Sequence, residues 1–238
     1  MQESFARVEI KYMLTPGQEE AIQAGLRSRG FYWMDFGSPA VQSLYYDTPD
    51  HQLIRDSLER PIYKEKLRLR SYGEPGTQTT SFVEVKKKYK GVVYKRRVAL
   101  PLDDAYPGLN SGTLPETAGQ VGREALWMVR RYNLSPSAVI AYDRYAWFSK
   151  KEPDVRITFD RNLAFRESSF DLTSREKNAV FTGPDERLME IKTCGTYPIW
   201  LTKLLWDTQA KRIHYSKYGS AYLRYIRGNV GQTAERLN

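Results

Sequence analysis

Alternation dominates the chain. Val8-Glu9-Ile10-Lys11 sets Glu9 and Lys11 opposite Val8 and Ile10, the two-residue period of a strand with one apolar face. Lys66-Leu67-Arg68-Leu69-Arg70 sets three cations opposite two leucines, and Phe82-Val83-Glu84-Val85-Lys86 repeats the pattern. After a turn expected at Lys90-Gly91, Lys95 and Arg97 share a face. Segments 155–160 and 188–192 alternate in the same way. Helical spacing is rarer. Thr15-Pro16-Gly17-Gln18 combines a capping residue, proline at the first helical position and glutamine at the third, and Ile22 and Leu26 follow on one face before Gly30. Further helices are expected over 116–132, 198–207 and 217–227, and loops over 73–80, 103–115 and 167–187. No repeat or domain boundary is visible, so residues 1–238 read as one domain of the α+β class, mainly β.

The polar faces of these strands are almost wholly ionisable. One solvated face of an antiparallel sheet accounts for any single strand. Six strands together strain that reading, because like charges two residues apart repel. A sheet closed into a barrel, with charges inward and helices outside, resolves the conflict. Its inner face holds the ten cations Lys11, Lys66, Arg68, Arg70, Lys86, Lys95, Arg97, Arg144, Arg156 and Lys192 against four anions, Glu9, Glu84, Asp160 and Glu190. That excess of six is most of the formal net charge of +9. A buried surplus of this size needs a polyanion or extensive water. The lumen therefore reads as a tunnel for a phosphate chain, too narrow for duplex nucleic acid.

Composition removes other chemistries. One cysteine, Cys194, rules out an intrachain disulfide, and with His51 and His214 it cannot complete a tetrahedral zinc site. Neither a Walker A loop nor a G-x-G-x-x-G occurs. With no 18-residue apolar run and no apolar leader, the expectation is a cytoplasmic chain that does not insert in a membrane. Lys87, out of phase with Lys86, is expected to be solvated, and Trp200, Leu201, Leu204 and Leu205 to be helix core. Tyr45 and Tyr46 fit either packing or the stacking of a base, and nothing selects a base or an oligomeric state.

The segments R-V-E-I-K-Y (7–12), S-L-Y-Y-D-T (43–48), K-L-R-L-R (66–70), F-V-E-V-K (82–86), Y-K-R-R (94–97), A-Y-D-R (141–144), V-R-I-T-F-D (155–160), L-M-E-I-K (188–192) and S-K-Y (216–218) come in a telling order. In that order the chain resembles the VTC domain, the polyphosphate polymerase domain of the vacuolar transporter chaperone complex, one of the triphosphate tunnel metalloenzymes related to CYTH hydrolases. The resemblance runs from about residue 7 to 224. It implies a closed eight-stranded antiparallel tunnel with a charged lumen and flanking helices. It also implies transfer of the terminal phosphate of ATP to a growing polyphosphate, with manganese or magnesium. By resemblance, Lys11, Arg68, Arg70, Lys86, Lys95, Arg144 and Arg156 are phosphate-binding cations and Tyr142 is a phosphate hydrogen-bond donor. Ser216 and Lys217 form the site at the start of the last helix, where free backbone N–H groups also favour anions. Glu190 is the metal carboxylate; Glu84 and Glu9 either join the metal or hold a lysine in position.

The first strand departs from the E-x-E-x-K of the hydrolytic relatives, because Arg7 stands at the first glutamate. A missing carboxylate weakens two-metal activation of water. Inorganic or nucleoside triphosphate hydrolysis in the same tunnel, or non-catalytic binding of polyphosphate or RNA, remain the alternatives. The polymerases of this family sit in multi-domain membrane proteins, which implies a membrane-protein partner.

Overall fold

The computed structural model describes residues 7–34, 38–59, 61–73, 79–174, 176 and 179–227. The chain folds into two compact units, each assembled from three separate stretches. The first unit takes Met1–Pro39, Tyr142–Leu163 and Thr182–Tyr215, and the second Ala40–Ala141, Ala164–Phe181 and Ser216–Asn238.

In the first unit β1 (Arg7–Leu14) runs antiparallel to both β9 (Arg187–Cys194) and β10 (Lys211–Ile213). β9 pairs in turn with β8 (Val155–Arg166), and β2 (Tyr32–Met34) with the later half of β7 (Ser135–Phe148). Alternation sends Tyr12 and Leu14 into a core with Phe159, Met189 and Ile191, leaving Glu9 and Lys11 on the other face. Helices α1 (Pro16–Ser28) and α5 (Ile199–Asp207) contribute Ile22, Leu26, Leu201 and Leu205 to that core, as the sequence reading requires. The capping box at α1 is complete. Thr15 accepts from the Gln18 backbone N–H, and the Gln18 side chain accepts from the Thr15 N–H at 2.9 Å. Gly25 admits α5 closely, since a Cβ there would stand 2.6 Å from Leu204 Cδ1.

The second unit is built on a meander of β3 (Ala40–Asp47), β4 (Tyr63–Tyr72), β5 (Thr80–Tyr89) and β6 (Val92–Pro101), every pair antiparallel. Lys90 and Gly91 both take positive φ, 46° and 87°, which suits a two-residue turn to the strand twist. Leu67, Leu69, Val83 and Val85 line the apolar face, covered by α3 (Leu102–Ser111) and α4 (Gly119–Tyr132). α2 (Gln52–Leu58) and α6 (Lys217–Ala221), which continues as a π turn through Tyr222–Ile226, complete the unit.

Four expectations need correction. Among the described residues the chain has ten strands, and their hydrogen-bonded order is open at β10 and at β6, not closed on eight. Residues 103–111 are not a loop, because Leu102, Ala105 and Leu109 bury one helical face despite Pro107; only 112–115 lack regular structure. Gly108 is needed there, since a Cβ would meet the Thr113 carbonyl at 2.7 Å where the chain turns back. α2 was not expected at all. Its N-terminus is capped by the Asp47 carboxylate, which accepts from the N–H groups of Leu53 at 2.8 Å and Ile54 at 3.1 Å. Lys87 is only partly solvated, since it pairs with Glu124 at 2.8 Å and Glu65 at 3.5 Å on the sheet face that α4 covers.

Candidate active site

The charged face of the second unit is ordered by strand register. Lys66, Lys86 and Lys95 form one row across β4, β5 and β6, and Arg68, Glu84 and Arg97 form the next. Arg70 follows in the row of Phe82. These three rows thus hold six cations against one carboxylate, Glu84, although like charges directly opposite destabilise a sheet.

Glu84 is buried and is the hub of this face. Arg68 grips Glu84 Oε2 through Nε at 2.6 Å and Nη2 at 2.5 Å, and Lys95 reaches Oε1 at 2.5 Å. Arg70 stands 3.9 Å from the same carboxylate and donates to Ser43 Oγ at 2.9 Å. Burial pushes the Glu84 carboxyl up, but Arg68, Arg70 and Lys95 together outweigh it and hold it down to about 2. The carboxylate therefore fixes the arginine forks in place and stays charged.

A second layer steadies these cations. Arg68 Nη1 donates to Tyr45 Oη at 3.0 Å, and the Tyr45 ring stacks on Tyr218 with centroids 4.6 Å apart. Tyr218 donates to Asp47 Oδ2 at 3.0 Å and meets Ser137 Oγ at 2.8 Å. Ser216 caps α6 by accepting from the Gly219 N–H at 3.2 Å, and its Oγ lies 3.4 Å from Lys66 Nζ. Ser216 and the buried Lys217 thus open the last helix beside β4. Tyr45 is the residue that sequence reasoning undervalued. Its only signal was its place on the charged face, two residues before Asp47.

The first unit holds the rest of the set, with a different balance. Register places Lys11 opposite Glu190 and Glu9 opposite Lys192. Lys11 stands 3.6 Å from Glu9 and 3.7 Å from Glu190, and Lys192 stands 3.5 Å and 3.7 Å from the same two carboxylates. Arg144 makes a bidentate pair with the fully buried Asp160, both bonds 2.7 Å, and reaches Glu190 at 3.4 Å. Its guanidinium also lies 5.1 Å from the Tyr142 ring centre, and that of Arg156 5.1 Å from the Phe148 ring. Four cations meet three carboxylates here, so this face is close to neutral. The Arg7 side chain lies outside the described residues.

Among the described residues no three His, Cys, Asp or Glu side chains converge into a metal cage. Glu9 and Glu190 nevertheless offer two carboxylates that share both lysines. That all-oxygen set fits a hard divalent ion that completes its shell with water and phosphate oxygens. Glu84 fits it less well, because Arg68 and Lys95 already hold its two oxygens at 2.5 Å, whereas the cations around Glu190 stand 3.4–3.7 Å away.

The same architecture recurs in solved structures. A candidate adenylate cyclase of Vibrio parahaemolyticus is 16% identical with a TM-score of 0.51, over 92% of this chain and 98% of that one. A Pyrococcus horikoshii protein is 15% identical with a TM-score of 0.50, over 97% and 99%. A candidate adenylyl cyclase of Hippeastrum, described as having a dominant triphosphatase activity, is 16% identical with a TM-score of 0.52, over 92% and 95%. At such identities the likeness shows the fold alone. No curated protein sequence matches the chain. The VTC domain matches over residues 6–226, and the chain belongs to that family.

Tyr45 carries a testable consequence. Burial pushes its phenol up, but Arg68, Arg70 and Lys66 act against this more strongly and bring it from 10.0 down to about 7. A depressed acid stabilises the fold fully above its unfolded value, and the gain is lost as pH falls through the folded value. The advantage of the native chain over Tyr45→Phe should therefore grow between pH 7 and 10. A tyrosinate absorption step near pH 7, absent in Tyr45→Phe, is the expected signature. No step below the ordinary tyrosine range would contradict it.

Proposed function

We propose that the chain is a metal-dependent phosphotransferase that extends polyphosphate with the terminal phosphate of ATP. The observation that carries this reading is the row of cations on β4 to β6, six to one carboxylate, held on rigid strands. Phosphoryl transfer needs charge neutralisation and in-line positioning more than covalent chemistry. Arg68 and Arg70 supply planar forks that grip phosphate oxygens, already oriented by Glu84, Tyr45 and Ser43. Lys66, Lys86 and Lys95 extend the grip along the phosphate chain. Ser216 with Lys217 serves the same face from the start of the last helix. Lys11, Arg144 and Arg156 are the phosphate cations of the first unit, with Tyr142 as its hydrogen-bond donor. An oxygen of the terminal phosphate of the growing chain attacks the γ-phosphorus, the bond to the β-phosphate oxygen breaks, and ADP leaves.

Glu190 with Glu9 would hold the divalent ion, manganese or magnesium. When bound, it neutralises charge on the phosphate oxygens as the terminal group moves. Glu84 serves instead as an anchor for arginines. Hydrolysis in the same site is the second reading, favoured by the fold shared with the Hippeastrum protein. Product analysis after incubation with ATP and manganese separates the readings. Long acid-labile chains support the polymerase, orthophosphate alone shows a hydrolase, and neither product leaves a binding module. Glu190→Gln should abolish turnover and metal-dependent binding while metal-free tripolyphosphate affinity stays equal or rises. Full metal-dependent turnover in that variant would remove Glu190 from the metal site.

A further inference from the structure

The hairpin end of the second unit has a character that the phosphate-binding face does not explain. It is formed by residues 61–64, Pro-Ile-Tyr-Lys, and 88–94, Lys-Tyr-Lys-Gly-Val-Val-Tyr. Register sets Tyr63 beside Tyr89 and Tyr89 beside Val92, and the Lys90 N–H donates to the Ile62 carbonyl at 2.9 Å. Ile62, Tyr63, Tyr89, Val92, Val93 and Tyr94 are therefore neighbours at one edge, and each is 45–68% exposed. Single exposed apolar residues are ordinary, but six together are not. Lys88 and Lys90 stand among them, while Lys64 donates to the Ser57 carbonyl at 2.9 Å, and these eleven residues include no carboxylate. The adjacent Glu65 is buried and accepts hydrogen bonds from Tyr63 and Tyr132.

We propose that this hairpin tip docks on an anionic lipid surface. Tyrosine is amphipathic and favours the headgroup boundary, and lysine keeps its charged end among the headgroups while its stem covers apolar surface. Peripheral elements of this kind sink about 5–10 Å. At about 3.3 Å per strand residue, that depth matches the two or three residues on each side of the turn. Charge also selects the occupant. Two copies of the chain meeting through this tip would set lysines against lysines. A protein partner of ordinary interface size needs roughly 20–30 residues a side, well beyond this tip. The inference is independent of the phosphotransfer reading.

Cosedimentation of the purified chain with vesicles tests it. Phosphatidylcholine alone should leave the chain in solution, and vesicles that also contain phosphatidylserine should pull it down, less so at high salt. Val92→Asp should weaken that binding at least tenfold with the melting temperature unchanged. Lys90→Glu, at an exposed turn, should do the same even if Val92→Asp fails to fold, since each basic residue near an anionic surface contributes about fivefold. No binding to phosphatidylserine vesicles, or equal binding by both variants, would overturn the proposal. So would loss of lipid binding in Arg70→Ala with both tip variants unaffected, which would place the lipid on the phosphate face. Lipid-free self-association that Val92→Asp abolishes would assign the tip to a second copy instead.

Discussion

Glu84→Gln is expected to lower the melting temperature by roughly 6–12 °C at neutral pH. Removing one partner from a buried ion cluster costs about 3–5 kcal/mol, and the lower end applies because Lys95 keeps some contact with water. For a chain of this length, each kcal/mol shifts melting by about 2–4 °C. The glutamine keeps the shape and leaves Arg68, Arg70 and Lys95 facing one another without their shared anion. The sign of the pH dependence follows from the depressed carboxyl. Its contribution is complete above the ordinary value of 4.5 and is lost as pH falls through about 2. The gap between native and variant proteins should therefore be constant near neutrality and close toward pH 2. Tripolyphosphate should stabilise the variant more than the native chain, because only the ligand then relieves the cations. A variant that melts with the native protein at neutral pH would show that Glu84 does not organise the face.

Local chemistry was legible in the sequence wherever a rule acts over a few residues. The capping box at Thr15 and Gln18, the turn at Lys90-Gly91 and the start of the last helix at Lys217 all stand where the residues place them. The charged row on β4 and β5 followed from alternation alone, because leucines and valines on the opposite face must be covered. Long-range features were not legible. α2 depends on a carboxylate from β3, and Lys87 finds its partners only because α4 crosses that face. α3 was hidden by Pro107, whose breaking tendency the burial of Leu102, Ala105 and Leu109 overrides. Counting charges along the sequence also hid their partition. Most of the surplus sits on the second unit, and three of the four carboxylates sit on the first, where Lys11, Lys192 and Arg144 meet them. Register decides which charges meet an opposite charge and which meet their like, and a list of strands does not.

The claim that the β4 to β6 face takes a phosphate chain is tested most directly by melting the native protein with tripolyphosphate. The face sets like charges in adjacent register positions, and a polyanion converts that repulsion into attraction. At about 100 times the dissociation constant, linkage predicts roughly 2.7 kcal/mol of added stability. That corresponds to a rise of roughly 5–11 °C at about 2–4 °C per kcal/mol. Arg70→Ala should bind tripolyphosphate more weakly by about 1.5–3 kcal/mol, the scale of a hydrogen bond to a charged group, so the same ligand concentration should raise its melting temperature far less. A clear rise for the native chain and a small one for Arg70→Ala is the predicted result; a native melting temperature unmoved by saturating tripolyphosphate would contradict it.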